Sequence, residues 1–410
     1  MQLSQVRRGL ALVLSALILA ACAHAPMAQG ERPLAILVSI DGFRADYLDR
    51  GITPNLSRLA EEGARGAMRP SFPTKTFPNH YTLVTGLRPD RHGIVDNTME
   101  DPDIPGVVFR LADKAVVADP RWWADATPLW VTAERAGVRT ATMFWPGSDV
   151  EIHGARPTDW LAFDQSMPTQ ARVDQVLAWL DRPPAARPAF VTLYFDEVDT
   201  VGHHEGPDSP ELNAAVSRVD AAIGKLVQGL ATRGVTANLV ITADHGMAPV
   251  SVERVIYLDD LLPAEAGRSL ALGAFMTYRP APGREAQVEA ALLKPHPHMA
   301  CWRKGDIPAR YHYGTHRRVP PIFCLPHTGW EISTRAWIAA RGLKGGNHGF
   351  DPYAPEMRAV FIGAGPAFRR GVRAADFDNV DIYPLLARLI GVRPEPHDGD
   401  LDQLAPVLAP

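Results

Sequence analysis

The sequence predicts an α/β fold, a mostly parallel sheet that helices cover on both faces and that carries an inserted sub-domain. Apolar runs of strand length alternate with segments of helical periodicity along the chain. Several of these runs end in carboxylates or histidines, as where Asp196 follows the run from Phe190 to Phe195. Residues 250–341 break the alternation with clusters of proline, arginine and histidine, and this break predicts the insertion.

Five apolar segments are predicted to form the central strands. Each is four to seven residues long, which is typical of strands that are buried on both faces of a parallel sheet. They are Leu34 to Ile40, Thr140 to Trp145, Phe190 to Phe195, Asn238 to Thr242 and Ala359 to Ile362.

Helices are predicted where a start signal precedes apolar residues three and four positions apart. Thr53-Pro54, Thr127-Pro128 and Ser209-Pro210 are such signals, and Thr53 and Ser209 are expected to cap their helices. Further helices are expected over 168–181 and from Val380 to Ile390, with a shorter helical segment from His80 to Gly86.

Length and composition limit the classes of protein to which the chain can belong. Its 410 residues suffice for one large or two medium domains with a substantial core. The net charge of −4 gives no basic surplus for binding a nucleic-acid polymer. Three cysteines are too few for a disulfide-rich scaffold.

The N-terminal residues have the pattern of an export signal. Arg7 and Arg8 precede an apolar run from Gly9 to Ala21, which is too short to span a membrane comfortably. Small residues and Cys22 follow, and the segment resembles a bacterial lipoprotein signal. This resemblance implies cleavage before Cys22 and lipidation of its thiol, and the alternative is an ordinary secretory signal.

The domain organisation follows from this pattern. Residues 1–21 are predicted to be a signal peptide, 22–32 a tether, and 33–410 the folded domain with its insertion at about 250–341. The predicted location is the periplasm or outer membrane of a Gram-negative bacterium, with membrane attachment through the N-terminal lipid only. In such an oxidising compartment Cys301 and Cys324 are expected to form a disulfide, with buried free thiols as the alternative.

Carboxylates and imidazoles gather where the predicted strands end. Six residues of this kind are Asp41, Asp199, His203, Asp244, His245 and His348. The carboxyl ends of parallel strands meet at one edge of a sheet, so these residues are expected to converge there. Three carboxylates with three imidazoles fit two metal ions, and oxygen with nitrogen ligands favours zinc. Taken alone, Asp199 and His203 have a solvated surface turn as their alternative, and Asp244 and His245 a turn with a buried hydrogen-bonded pair.

One of two threonines that lie between two prolines is predicted to be the nucleophile. Pro73 and Pro78 flank Thr74, Lys75 and Thr76 and hold the backbone there away from a regular helix. A threonine hydroxyl can attack phosphorus when a dication lowers its pKa. The residues alone do not choose between Thr74 and Thr76, and a helix-capping threonine is the alternative for either.

Several long motifs give the chain a specific resemblance. The stretches are VSIDGFRADYL, PTKTFPNHYTLVTGLRPDRHGIVDN, YFDEVDTVGHHEGPDS, TADHGM and GGNHGFDP. Over roughly 34–250 and 342–392 the chain resembles the nucleotide pyrophosphatase/phosphodiesterase family of the alkaline phosphatase superfamily. The resemblance implies an alkaline-phosphatase-like fold.

The resemblance also implies a role for individual residues. One zinc ion would be held by Asp41, Thr76, Asp244 and His245, and the other by Asp199, His203 and His348. Thr76 would be the nucleophile, and Asn97 would donate its side-chain amide to a phosphate oxygen. Phe77 and Tyr194 would enclose a nucleobase or another substrate group, while their alternative role is ordinary core packing.

The implied reaction is zinc-dependent hydrolysis of phosphodiester or pyrophosphate bonds in small nucleotide-type substrates. It would pass through a phosphothreonine and release a nucleoside monophosphate. A phosphomonoesterase is an alternative, with Lys75 as the nearby positive charge, and so is a diesterase for glycerophosphodiesters or lysophospholipids. A non-catalytic lipoprotein that only binds metal or phosphate is the alternative of another class. The insertion is expected to form the rim that selects the leaving group, and the sequence leaves the oligomeric state open.

Overall fold

A computed structural model describes residues 34–410, and its strands form one large sheet and several small ones. The strands are β1 (Leu34–Ile40), β2 (Ala64–Arg69), β3 (Thr98–Glu100), β4 (Val108–Arg110), β5 (Thr140–Met143), β6 (Asp159–Leu161), β7 (Phe190–Phe195), β8 (Ala237–Thr242), β9 (Ala248–Pro249), β10 (Val255–Tyr257), β11 (Gly267–Ala271), β12 (Met276–Pro280), β13 (Met299–Arg303), β14 (Ile322–Pro326), β15 (Glu331–Ser333), β16 (Gly346–Asn347), β17 (Ala359–Ala364), β18 (Val372–Arg373) and β19 (Phe377–Asp378).

The large sheet has the strand order β18-β2-β17-β8-β1-β7-β5-β6, and β19 also pairs with β2. Five neighbours, β8, β1, β7, β5 and β6, run parallel, whereas β17 is antiparallel to both β8 and β2. The prediction of a mostly parallel sheet is therefore confirmed. Every residue of β1 and β7 is buried, which requires cover on both faces because successive side chains point to opposite faces.

Eleven α-helices lie among the described residues, and several of them contact one another in two groups. They are α1 (Pro54–Glu62), α2 (Thr76–Thr85), α3 (Pro89–His92), α4 (Lys114–Val117), α5 (Leu129–Arg135), α6 (Thr169–Leu180), α7 (Glu197–Glu205), α8 (Pro210–Thr232), α9 (Glu285–Leu292), α10 (Arg335–Arg341) and α11 (Ile382–Leu389). Helices α1, α6 and α7 contact α8, whereas α5 and α11 contact α2. Among the described residues no helix is long and apolar enough to cross a membrane.

The two predicted helix caps have different outcomes. Ser209 caps α8 as predicted, since its hydroxyl accepts a hydrogen bond from the N–H of Leu212. Thr53 makes no such bond to α1. The carboxylate of Asp220, on the middle of α8, instead accepts from the N–H groups of Asn55 and Leu56. The start of α1 is therefore satisfied by a residue far away in sequence, which local patterns do not reveal.

Residues 255–333 build small sheets with their own apolar cluster. Four antiparallel strands lie in the order β11-β12-β14-β13, and β10 pairs with β15. Cys301 and Cys324 face each other across β13 and β14 and are joined by a disulfide bond. The bounds of the predicted insertion stay a prediction, and the predicted signal peptide and tether lie outside the described residues.

Candidate metal centre and nucleophile

The ends of three neighbouring parallel strands form the floor of the candidate site. Asp41 directly follows β1, and Asp244 and His245 lie two and three residues beyond the end of β8. Helix α7 begins two residues after β7 and carries Asp199 and His203 one turn apart. Because β8, β1 and β7 are adjacent and parallel, all five side chains reach the same edge of the sheet.

His348 joins these residues from a separate loop. It follows β16, which pairs with β9, the strand that comes shortly after His245. Its ring stacks on that of His245, with 3.5 Å between ring centroids, and lies 5.0 Å from that of His203. The six residues that the sequence singled out therefore lie together.

The ligand atoms form two neighbouring groups, each within 4.8 Å of one another: those of Asp199, His245 and His348, and those of Asp41, His80 and Asp244. His245 also lies close to the second group. His245 Nε2 lies 3.5 Å from Asp41 Oδ1 and 2.9 Å from Asp244 Oδ2. Asp199 lies between two imidazoles, with its Oδ2 3.5 Å from His203 Nε2 and its Oδ1 3.7 Å from His348 Nε2. Asp41, Asp244, His245 and His348 are buried, whereas the His203 side chain is 36% exposed, so the site opens to solvent at His203.

All three imidazoles are oriented in the same way. The Nδ1 atoms of His203, His245 and His348 lie 2.9, 2.9 and 2.8 Å from the backbone carbonyl oxygens of Gly346, Gly246 and Thr74. A carbonyl can only accept, so each Nδ1 carries the proton and each Nε2 keeps its lone pair. This is the arrangement by which proteins fix a histidine as a metal ligand.

The carboxylates also fit a cation. Asp41 Oδ1, Asp199 Oδ1 and Asp244 Oδ2 are buried and have no hydrogen-bond partner among the described residues. Buried carboxylate oxygens of this kind are costly unless a cation balances them. The donor set of carboxylate oxygens and neutral imidazole nitrogens suits zinc, so these residues fit the predicted metal.

The pKa values of the acidic and imidazole groups shift in both directions. Burial lowers the pKa of His245, but the Asp244 carboxylate outweighs it, and the pKa lies above its ordinary value. Burial, together with the carboxylates of Asp244 and Asp199, raises the pKa of Asp41 well above its ordinary value. Burial and the neighbouring His245 and Lys75 lower the pKa of His348 well below its ordinary value. His348 is therefore a neutral imidazole, the form that binds metals.

The geometry separates the two candidate threonines. Thr74 is fully buried, and its hydroxyl donates to the carbonyl of Phe350 and accepts from the N–H of Gly349. The hydroxyl of Thr76 lies 3.4 Å from His245 Nε2, at the first residue of α2. Thr76 is thus the threonine whose hydroxyl faces the metal-type residues, whereas Thr74 holds the loop after His348.

Asn97 lies against the start of α2. Its side-chain oxygen accepts a hydrogen bond from the N–H of Phe77 at 2.9 Å. The amide NH₂ group is therefore the end of Asn97 that can donate to a substrate. As the first residue of the helix, Thr76 also has an N–H with no acceptor inside the helix. Both donors belong to the residues that surround the Thr76 hydroxyl.

The two predicted pocket aromatics lie in different surroundings. Phe77 packs against the rings of Phe109 and Trp123. Tyr194 packs against His80 and Phe163, and its hydroxyl donates a 2.6 Å hydrogen bond to Asp41 Oδ2. Tyr194 therefore orients a metal-type carboxylate, a contact that the sequence did not reveal.

His80 is a second residue that sequence reasoning missed. Its Nδ1 lies 2.8 Å from the Thr76 carbonyl and 3.4 Å from Asp244 Oδ2, and its Nε2 lies 2.9 Å from the Ser39 hydroxyl. Both ring nitrogens thus have protein partners, so His80 supports the site from behind. Its position four residues after Thr76 was the available signal, because one helical turn separates them.

Lys75, the residue between the two threonines, already has a protein partner for its charge. Its ammonium group donates a 2.8 Å hydrogen bond to the carbonyl of His348 and lies over the ring of Phe275. Burial lowers its pKa from the ordinary lysine value, against the opposing effect of Asp96 and Glu331.

Comparison with known proteins identifies the family. A sequence model of the family described as Type I phosphodiesterase / nucleotide pyrophosphatase matches residues 35–351. The chain belongs to this family. Its fold is that of the alkaline phosphatase superfamily, and the family resemblance found in the sequence is confirmed.

Individual relatives cover most of the chain. A pyrophosphatase/phosphodiesterase of fission yeast is 40% identical over 91% of this chain and 80% of its own length. Human ectonucleotide pyrophosphatase/phosphodiesterase family member 5 is 36% identical over 90% and 77%. A structure of murine member 5, an inactive threonine-to-alanine variant in complex with AMP, has a TM-score of 0.87 and 35% identity, covering 92% and 100% of the two chains. The chain is accordingly a hydrolase of the nucleotide pyrophosphatase/phosphodiesterase type.

The predicted bacterial location is wrong. The relatives named above come from fission yeast, human and mouse, and none of them links the chain to a Gram-negative envelope. A charged stretch, a short apolar run and small residues are general features of export signals, so they do not identify an organism or a lipid anchor. Cys22 itself lies outside the described residues.

Proposed function

We propose that the chain hydrolyses the phosphodiester or pyrophosphate bond of small nucleotides, with Thr76 as the nucleophile and two zinc ions as cofactors. The observation that carries this proposal is the place of the Thr76 hydroxyl, 3.4 Å from His245 Nε2 at the start of a helix. No other described threonine combines that position with metal-type neighbours on the same sheet edge.

Each zinc ion has a distinct set of residues. Asp41, Asp244 and His245 would hold one ion together with Thr76. The other would be held by Asp199, His203 and His348, on the side that opens to solvent. Two such ions stabilise the charge that develops on the attacking and the leaving oxygen of an in-line displacement.

The protein groups around phosphorus then have separate tasks. The Thr76 oxygen forms a bond to phosphorus as the bond to the leaving alcohol or nucleotide breaks, and a phosphothreonine results. The amide of Asn97 and the N–H of Thr76 donate to a non-bridging phosphate oxygen and fix its orientation. Water then cleaves the phosphothreonine, which restores the Thr76 hydroxyl and releases a phosphomonoester.

A diester substrate fits better than a monoester. A monoester carries an additional negative oxygen, which calls for an additional positive group at the site. Lys75, the candidate adjoining Thr76, already donates to the carbonyl of His348.

Nucleotide substrates are favoured by two relatives. The murine structure mentioned above binds AMP in a variant that has lost a threonine. A Xenopus relative named bis(5'-adenosyl)-triphosphatase is 36% identical over 92% of this chain. Phe77 and Tyr194 are proposed to line the pocket for the nucleobase, with stacking as the attractive force.

The test is to measure kcat/KM on bis-p-nitrophenyl phosphate, p-nitrophenyl phosphate and a nucleotide pyrophosphate, with zinc and after chelation. We expect diester and pyrophosphate turnover that zinc restores, and a loss of at least about a thousandfold in Thr76→Ala. Thr76→Ser keeps a hydroxyl and is the matched control. A preference for the monoester, or full activity in Thr76→Ala, would refute the proposal.

A further inference from the structure

His348 is held by a chain of partly buried hydrogen bonds that reaches into the inserted residues. The N–H of His348 donates to Asn347 Oδ1, and Asn347 Nδ2 donates to Glu331 Oε1, each at 2.8 Å. Glu331 belongs to β15 and is only 4% exposed. A carboxylate from the insertion therefore lies two hydrogen bonds away from the backbone N–H of a metal-type histidine.

The carbonyl and the ring of His348 are held by the segment that contains Thr74 and Lys75. Lys75 Nζ donates to the carbonyl of His348, and the Nδ1–H of His348 donates to the carbonyl of Thr74, both at 2.8 Å. Lys75 and Glu331 are close enough that each charge shifts the pKa of the other group. The backbone of His348 thus lies between an ammonium group and a carboxylate that attract each other.

Glu331 decides which way the Asn347 amide points. An amide can present either its oxygen or its NH₂ group to a neighbour, and only the oxygen can accept from His348. Because Glu331 accepts the NH₂ group, the oxygen is left facing the His348 N–H. The backbone of Gly273 closes over this pair, since a Cβ there would lie 3.1 Å from Glu331 Oε2 and 3.3 Å from Asn347 Nδ2.

We propose that Glu331 and Asn347 are positioning residues that hold the Nε2 atom of His348 on the second zinc centre. The inference rests on the proposed function, because it assumes that His348 is a metal ligand. Partners behind a ligand typically change metal affinity by roughly 10- to 100-fold when they are removed. The insertion would then support the metal centre as well as border it.

The experiment measures zinc binding by the purified full-length chain after chelation, using calorimetric titration, in the wild type and in three variants. We expect two zinc equivalents in the wild type. In Asn347→Ala and Glu331→Ala one equivalent should bind roughly 10- to 100-fold more weakly while the other is unchanged. Glu331→Gln still offers an oxygen to Asn347, so it should retain nearly wild-type affinity.

Two controls separate this role from a general loss of structure. Glu289→Ala removes a half-buried carboxylate of the same insertion that pairs with Arg303, and Asn213→Ala removes an asparagine that accepts from Arg50. Both should bind zinc as the wild type does. Unchanged zinc binding in Asn347→Ala, equal weakening of both equivalents, or a Glu331→Gln variant as poor as Glu331→Ala would overturn the inference. A wild type that binds no zinc would instead overturn the proposed function.

Discussion

The sheet edge and the insertion both contribute to the candidate site, and they hold their residues in different ways. At the sheet edge, Asp41 and Asp244 follow the regular parallel strands β1 and β8, so backbone pairing sets their positions. In the insertion, Glu331 reaches the site through a side chain, Asn347, and no ladder of the large sheet places it. Asp41 and Asp244 thus follow strands of the large sheet, whereas Glu331, which is proposed to support His348, belongs to a small sheet of the insertion.

The largest expected effect tests the sheet edge. Asp244→Asn removes a charge from a buried cluster of ligand-type residues, and kcat/KM on bis-p-nitrophenyl phosphate should fall by more than about a hundredfold, since even partners behind a ligand have effects of that size. Asp49→Asn, an exposed carboxylate paired with Arg65, should leave it unchanged. An Asp244→Asn variant with wild-type activity would show that the sheet edge is not the reaction centre.

A smaller effect tests the independence of the insertion. The disulfide between Cys301 and Cys324 closes a short loop, and replacing both residues with alanine should destabilise the insertion by about 3 kcal/mol. Hydrogen exchange should then accelerate in β12, β13 and β14 while the amides of β1 and β7 remain protected. Equal acceleration in both sheets would mean that the two regions unfold as one unit.

The smallest expected effect is a pH dependence that arises at the boundary of the two regions. Burial raises the pKa of Glu331 to about 7, although Asn347 and the ammonium of Lys75 oppose this shift. A folded-state pKa above the unfolded one contributes stability at low pH, and that stability is lost as pH rises towards 7. Relative to Glu331→Gln, the wild type should lose about 2 kcal/mol of unfolding free energy between pH 5 and pH 8. Urea denaturation at both pH values measures this, and parallel pH profiles would contradict it.

The difference between the sheet edge and the insertion also bears on what the sequence could predict. The five central strands and the six ligand-type residues were predictable, because buried parallel strands are continuous apolar runs and their ends meet at one edge. The residues alone left the predicted nucleophile open between Thr74 and Thr76, which lie only two positions apart, and the family resemblance favoured Thr76. The choice depends on Gly349 and Phe350, which engage Thr74 from a distant part of the chain.

Three of the contacts that escaped prediction join different elements of the fold. Asp220 satisfies the start of α1, Tyr194 donates to Asp41, and Glu331 orients Asn347. Each is a hydrogen bond between elements whose proximity is decided by the packing of the whole fold. A single sequence displays the residue types for such bonds but not the pairing, whereas periodicity is visible locally. The prediction of a bacterial location was wrong for another reason. Export signals share general features that indicate export from the cytoplasm but do not identify the organism.

Three consecutive residues, Thr74, Lys75 and Thr76, have a consequence for how substrate meets the enzyme. The Thr74 carbonyl accepts from the ring of His348, and the Lys75 ammonium donates to the carbonyl of His348. The hydroxyl of Thr76 faces His245. The proposed nucleophile and His348, which comes from a distant part of the chain, thus lie together in the folded protein before any substrate binds. The entropic cost of bringing these two residues together is met during folding. Reaching the reactive geometry therefore costs only the translational and rotational entropy of the bound substrate.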